Sequence, residues 1–234
     1  MSSTSFVQRA KKSIYRRTRY HWLTERLQYQ IRRDPQLKLA ALDLELMVKP
    51  GDVIIDCGAN IGSVTSLFAR SGAIVYAFEP NPLSFTILSR RFRAMPTVHC
   101  FNQGVFDRQC RLTLGTPSPH GQWDALDTTI SSSVMPGSTP SSVYTLQETE
   151  IECISLSDFI QSLHRQVRLL KLDIEGSEIP VLNQLLDAGT INFVDLTVVE
   201  THERQMPHLL DVTAALRDRI KKEGLEKKIR LDWY

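Results

Sequence analysis

A glycine-rich turn between two short apolar runs, in residues 49–79, sets the fold class of this chain. The segment reads K-P-G-D-V-I-I-D-C-G-A-N-I-G-S-V-T-S-L-F-A-R-S-G-A-I-V-Y-A-F-E. Both apolar runs, 53–57 and 74–78, are rich in β-branched residues and typical of strands covered on both faces, and apolar residues recur at helical spacing between them. The pattern predicts a βαβ unit with parallel strands, and hence a doubly wound, mostly parallel Rossmann-like α/β sheet flanked by helices.

The turn after the first strand is the predicted ligand site, because open parallel sheets bind ligands at the carboxyl ends of their strands. The turn contains neither G-x-G-x-x-G nor a phosphate-binding Gly-Lys-Ser/Thr sequence. Asp56 precedes it, and Glu79 ends the next strand, where a carboxylate can accept hydrogen bonds from ribose hydroxyls. Two carboxylates favour a nucleoside that carries positive charge over a dinucleotide, and S-adenosylmethionine is such a molecule.

The residues predicted to bind this cofactor follow three strand ends. They are Asp56, Gly58, Ala59, Asn60, Gly62, Glu79, Gln103 and Gly104. Gly58 and Gly62 allow a tight turn and a close approach of the ligand to the backbone. Gln103 and Gly104 follow a predicted third strand at 97–101, and we expect them to contact the adenine.

A second group of charged residues follows two later predicted strands, 167–174 and 193–200. Lys171, Asp173 and Glu175 alternate along the first, so an extended strand would project all three to one side. Glu200 ends the second, and His202 lies two residues beyond. We expect Asp173 near the transferred group and the acceptor, and His202 as general base or orienting group.

Lys171 and Glu200 are predicted to support these two residues, with Glu175 and Glu178 as second choices. An ion-pair network that only braces the strand ends is the alternative reading. An Asp, Glu and His group can also hold a divalent metal, and this alternative stays open. A metal is not the prediction, because the E-T-H sequence supplies only two ligands from one strand.

Four sequence blocks resemble the FkbM-type family of S-adenosylmethionine-dependent methyltransferases. They are D-C-G-A-N-I-G, A-F-E-P-N-P, L-K-L-D-I-E-G-S-E and V-V-E-T-H, in order between Val48 and His202. The resemblance implies O-methylation of a hydroxyl on a glycan or a small-molecule, polyketide-like acceptor. Two alternatives stay open: methyl transfer to nitrogen or to a nucleic acid, and a non-catalytic nucleotide-binding module.

The chain divides into a basic, partly helical extension at 1–47 and a methyltransferase domain at 48–234. Residues 1–40 hold ten Lys and Arg against two acidic residues, while the whole chain has a net charge of +2, so the remainder is acidic. A basic extension can contact nucleic acid or an anionic membrane surface. The favoured interpretation is a helix that packs on the domain through Trp22, Leu23, Leu27 and Ile31.

Several further expectations concern the domain itself. The segment 115–147, rich in Ser, Thr, Pro and Gly, is predicted to be a long loop, and 111–114 to belong to a hairpin. A helix at 205–222 should bury Val212, and 228–234 should form a last strand. The four cysteines lack ligand spacing, and neither a signal peptide nor a membrane-length apolar run is evident, so free thiols and a cytoplasmic protein are expected. The oligomeric state stays open.

Overall fold

The computed structural model describes residues 47–117, 146–231 and 233. Except for Met47, the predicted N-terminal extension lies outside the described residues. The same holds for residues 118–145 of the predicted loop, so those expectations stay predictions.

The described residues form nine strands. Their bounds are β1 Val53–Cys57, β2 Ile74–Phe78, β3 Val98–Phe101, β4 Gly104–Phe106, β5 Cys110–Pro117, β6 Leu146–Ser155, β7 Val167–Leu172, β8 Val194–Val199 and β9 Ile229–Arg230. Six of them make one parallel sheet in the order β3-β2-β1-β7-β8-β9. The strand order reverses between β1 and β7, so the loops after these two strands meet at one crevice. The predicted fold class is confirmed.

Five α-helices connect these strands. They are α1 Thr65–Arg70, α2 Pro82–Phe92, α3 Leu156–Ser162, α4 Glu178–Asp187 and α5 Leu210–Lys222. Local sequence sets where two of them begin. The Asn81 side chain accepts hydrogen bonds from the backbone N–H groups of Leu83 and Ser84, with Pro82 in the first turn of α2. Ser155 caps α3 in the same way.

Both faces of the parallel sheet are covered. Ile54 and Ile55 are consecutive in β1 and fully buried, yet they belong to different apolar clusters, one on each face. On one face Ile54 shares its cluster with Phe68 and Leu88, and on the other Ile55 shares its cluster with Leu182. Each such side chain contributes about 1.5–3 kcal/mol by burial.

A second sheet of three strands, in the order β4-β6-β5, covers one side of the crevice. β5 runs antiparallel to β6, which confirms the predicted hairpin at 111–114. The two strands extend to Pro117 and Leu146, so both ends of the predicted 115–147 loop are strand residues. All four cysteines are free thiols, as expected.

Three predictions were wrong in detail. β7 ends at Leu172, before the predicted residue 174, because the chain turns where Glu175 takes a left-handed φ of 56°. The predicted helix at 205–222 starts with a 3-10 turn at Pro207–Leu209, and Val212 is 46% exposed because Leu209, Thr213 and Leu216 form the buried stripe. β9 has two residues, since only Ile229 and Arg230 pair with β8.

None of the helices in the described part of the chain is both long and apolar enough to cross a membrane.

Candidate active site

The glycine turn after β1 brings two strand ends together. Gly58 has φ of +74°, and a Cβ on it would lie 1.7 Å from the carbonyl oxygen of Asp173. No other residue fits at position 58, since any side chain would collide with the backbone after β7. Gly62 is required for a different reason, because its missing side chain makes room for Leu88 and Phe92 of α2.

Glu79 holds the glycine turn in place. One carboxylate oxygen accepts the backbone N–H of Asn60 at 2.8 Å, and the other accepts the N–H of Asn81 at 2.8 Å. Burial raises the pKa of Glu79 to about 7, although these two N–H groups favour the ionised form. Each oxygen keeps a lone pair that can accept a further hydrogen bond.

Asp56 lies beneath the turn. Its side chain is fully buried. One oxygen accepts a hydrogen bond from the Thr65 hydroxyl at 2.6 Å, and the other lies 3.4 Å from Nζ of Lys171. Asp56 and Lys171 are direct partners in the register of β1 and β7, so the pairing of the two strands brings these charges together.

Besides its contact with Asp56, Lys171 makes three contacts that join the ends of β1 and β7. Its Nζ lies 3.0 Å from Oδ2 of Asp173 and donates to the carbonyl oxygens of Gly58 at 2.8 Å and Cys57 at 3.3 Å. Burial alone would lower the pKa of Lys171, but the Asp173 and Asp56 carboxylates raise it above its usual range. Lys171 therefore stays charged and positions Asp173.

Glu178, at the start of α4, organises the loop after β7. Its carboxylate is 1% exposed and accepts the backbone N–H groups of Ile174 at 2.7 Å and Gly176 at 2.9 Å. The same carboxylate lies 3.1 Å from Nδ1 of His202. The imidazole is thereby directed so that Nε2 faces Glu175 Oε2 at 3.5 Å and Asp173 Oδ1 at 3.8 Å.

This concentration of charge shifts the pKa values of the site. Burial alone would lower the pKa of His202, but Glu178 and then Glu175 and Asp173 raise it to about 9. Burial raises the pKa of Glu175 to about 8, with His202 opposing and Asp173 adding to the rise. Burial and the Asp173 charge raise the pKa of Glu200 to about 7. At neutral pH His202 is therefore an imidazolium. Its predicted role as general base or orienting group stays a prediction.

A cavity of about 660 Å³, including the solvent at its mouth, opens beside the glycine turn. The lining residues are Gly58, Asn60, Phe78, Glu79, Pro80, Gln103, Gly104, Val105, Leu112, Leu114, Cys153, Asp173, Ile174, Glu175 and Ser177. Three of these are carboxylates, and none of the lining residues in the described part of the chain is Lys or Arg, so this part of the wall favours a ligand with positive charge over a pyrophosphate.

The structure places half of the twelve predicted site residues in the lining of this cavity. Six of them line it: Gly58, Asn60, Glu79, Gln103, Gly104 and Asp173. The others lie behind or beside the wall: Asp56, Ala59, Gly62, Lys171, Glu200 and His202. Their roles toward a ligand stay predictions.

Sequence reasoning missed the apolar wall from the second sheet. Leu112 and Leu114 alternate along β5, which indicates one shared face, but nothing in that pattern shows that the face covers the crevice. Cys153 of β6 belongs to the same wall.

The parallel sheet and the cavity beside the glycine turn after β1 define a Rossmann-like domain with its crevice at the carboxyl ends of the strands. A family model described as "Methyltransferase FkbM domain" matches residues 56–224. The chain therefore belongs to the FkbM methyltransferase family, and the resemblance of the four sequence blocks is confirmed.

Three relatives have similar sequences. "Methyltransferase 1" of Beauveria bassiana (strain ARSEF 2860) is 29% identical over 63% of each chain. "31-O-demethyl-FK506 methyltransferase FkbM" of Streptomyces tacrolimicus is 30% identical over 67% of each chain. "2-O-methyltransferase NoeI" of Sinorhizobium fredii (strain NBRC 101917 / NGR234) is 25% identical over 73% of this chain and 74% of its own. This chain thus spans about two thirds of the length of the first two relatives.

One solved structure with a similar backbone is an rRNA methylase from Streptococcus thermophilus. Its TM-score is 0.44 at 7% sequence identity, over 78% of this chain and 80% of that chain.

Proposed function

We propose that this chain transfers the methyl group of S-adenosylmethionine to a hydroxyl oxygen of a small-molecule or glycan acceptor. The observation that carries the proposal is the cavity at the glycine turn, where the charged lining residues among those the structure describes are carboxylates: Glu79, Asp173 and Glu175. Family membership supports methyl transfer. Oxygen as the receiving atom is supported by two relatives, since both names specify O-methylation.

The described residues fit such a cofactor. Glu79 presents carboxylate oxygens that can accept ribose hydroxyls while it continues to hold Asn60 and Asn81. Val105, Leu112 and Leu114 give the cavity an apolar wall suited to a base. When bound, S-adenosylmethionine supplies an electrophilic methyl group on a positively charged sulphur.

The protein has two tasks in this reaction. It aligns the acceptor hydroxyl with the methyl group, and it removes the proton of that hydroxyl. A hydroxyl becomes a good nucleophile only as its proton leaves. Asp173 is the proposed proton acceptor: its side chain is 27% exposed at the cavity, and Lys171 fixes it from behind at 3.0 Å. His202, which is already protonated at neutral pH, orients Asp173 and Glu175 from the buried side, and Glu200 is a supporting charge.

An activity screen tests this proposal. The full chain is incubated with isotopically labelled S-adenosylmethionine and a panel of hydroxylated macrolides and oligosaccharides, and the methylated product is located by mass spectrometry. On an accepted substrate, Asp173→Asn should lower kcat by about 10²–10⁴-fold, with cofactor affinity nearly unchanged.

The matched control is His208→Gln, because His208 is exposed and lies outside the site. Its kcat should equal that of the wild type. Wild-type turnover in Asp173→Asn would remove Asp173 as the proton acceptor. A label found on nitrogen or on added RNA would contradict O-methylation.

A further inference from the structure

Three side chains of the site have the donor atoms of a metal centre. One donor atom each from Asp173, Glu175 and His202 lies within 4.8 Å of the other two. Nε2 of His202 is 3.5 Å from Glu175 Oε2 and 3.8 Å from Asp173 Oδ1. The sequence predicted no metal because E-T-H supplies too few ligands. In the structure, Asp173 and Glu175 of the loop after β7 join His202 as further ligands. The turn at Glu175 could not be predicted from the alternation of charged residues in the sequence.

The orientation of His202 is an independent observation that points to a cation. Its side chain is 6% exposed. Among the described residues, Nε2 makes no hydrogen bond and faces only the two carboxylates. Nδ1 lies 3.1 Å from Glu178, which two backbone N–H groups hold in place, but this ion-pair contact does not have hydrogen-bond geometry. A carboxylate beside one imidazole nitrogen, with the other nitrogen directed at further ligands, is similar to the arrangement in which proteins orient metal-binding histidines.

The spacing of the donor atoms suits an ion that prefers oxygen. Neighbouring ligands of an octahedral ion with bonds of about 2.1 Å lie roughly 3.0 Å apart. The observed 3.5 and 3.8 Å therefore need only a small contraction. Within residues 47–117 and 146–231, carboxylates outnumber cations at this place: Asp56, Asp173, Glu175, Glu178 and Glu200 surround Lys171 and His202.

We propose that Asp173, Glu175 and His202 bind one divalent cation of the Mg²⁺ or Mn²⁺ class. The cation takes the place of the proton on Nε2 of His202, so that binding releases this proton. Asp173 and Glu175 line the cavity, so the remaining coordination positions face the space where an acceptor hydroxyl would bind. A hydroxyl oxygen bound to such an ion would be held in a fixed place and would release its proton more easily, with the Asp173 carboxylate as the proton acceptor. This last step rests on the proposed function, whereas ion binding does not.

The experiment measures Mn²⁺ binding to the full chain by electron paramagnetic resonance. The wild type should bind one Mn²⁺ that excess Mg²⁺ displaces. Glu175→Gln and Asp173→Asn should weaken binding at least about ten-fold. The exposed residues Glu226 and His208 provide matched controls, and Glu226→Gln and His208→Gln should bind as the wild type does. Glu175 is the preferred ligand variant because its side chain is one-third exposed, and circular dichroism checks that each variant is folded.

A wild-type chain that binds no Mn²⁺, or a folded Glu175→Gln variant that binds it equally well, would overturn the inference. S-adenosylmethionine binding is titrated in parallel, so that the two proposals fail separately. Cofactor binding without Mn²⁺ binding overturns only the metal site. Mn²⁺ binding without cofactor binding supports the metal site and contradicts the proposed function.

Discussion

Replacing Gly58 by Ala should damage the site more than any similar change elsewhere in the described chain. The new Cβ would lie 1.7 Å from the Asp173 carbonyl oxygen, and real Cβ atoms essentially never approach a neighbour closer than 3.0 Å. The end of β7 must therefore move by at least about 1.3 Å. Asp173 would move with it.

Gly224→Ala is the matched control. Gly224 has a φ of +69°, close to the +74° of Gly58, but a Cβ at position 224 meets nothing within 4 Å. Both variants carry the cost of a left-handed alanine, about 1–2 kcal/mol. Only Gly58→Ala adds a collision, for which overpacking costs typically about 1–3 kcal/mol. At roughly 2–4 °C per kcal/mol, Gly58→Ala should melt about 2–12 °C below Gly224→Ala.

Differential scanning calorimetry measures the two melting temperatures, and calorimetric titration measures S-adenosylmethionine affinity. Gly224→Ala should bind the cofactor as the wild type does, while Gly58→Ala should lose at least about ten-fold in affinity because the glycine turn is displaced. Equal melting temperatures and equal affinities in the two variants would refute the argument that glycine is required at position 58 because the backbone after β7 lies so close to it.

Three further changes test the buried charges. Lys171→Met leaves Asp56 buried without its cation and should cost about 3–5 kcal/mol in urea unfolding; a loss under about 1 kcal/mol would contradict the pairing. Thr65→Ala removes the 2.6 Å hydrogen bond to Asp56 and should cost about 1–3 kcal/mol, whereas Thr86→Ala, on an exposed hydroxyl, should cost much less. The ordinary pKa of Glu79 is 4.5, and burial raises it to about 7 in the folded protein. Between pH 4.5 and 7 the folded chain therefore holds a proton on Glu79 that the unfolded chain has released. Stability should therefore fall by up to about 3 kcal/mol as pH rises from 4.5 to 7, and Glu79→Gln should remove that part of the slope; an unchanged slope would be inconsistent with the raised pKa.

The sheet and the glycine turn were predictable because their signals are local. The β-branched runs at 53–57 and 74–78 and the cap at Asn81 depend on neighbouring residues only. Charged residues that end parallel strands meet at one edge, which is why Glu79 and Asp173 could be assigned to one site from sequence.

The parts that sequence could not supply depend on contacts between distant segments. Lys171 bonds to Gly58 across 113 positions, and the wall from β5 depends on how a second sheet packs. The orientation of His202 depends on Glu178. The Glu178 carboxylate also accepts two backbone N–H groups of the loop after β7. No periodicity encodes that loop, so the alternation that predicted an extended strand through Glu175 was misleading.

The central claim is that the cavity at the glycine turn accepts a positively charged nucleoside. Calorimetric titration of the wild-type chain with S-adenosylmethionine, and separately with NAD, tests it most directly. We expect one S-adenosylmethionine per chain and no heat of binding with NAD. Saturable binding of NAD together with no response to S-adenosylmethionine would contradict the claim.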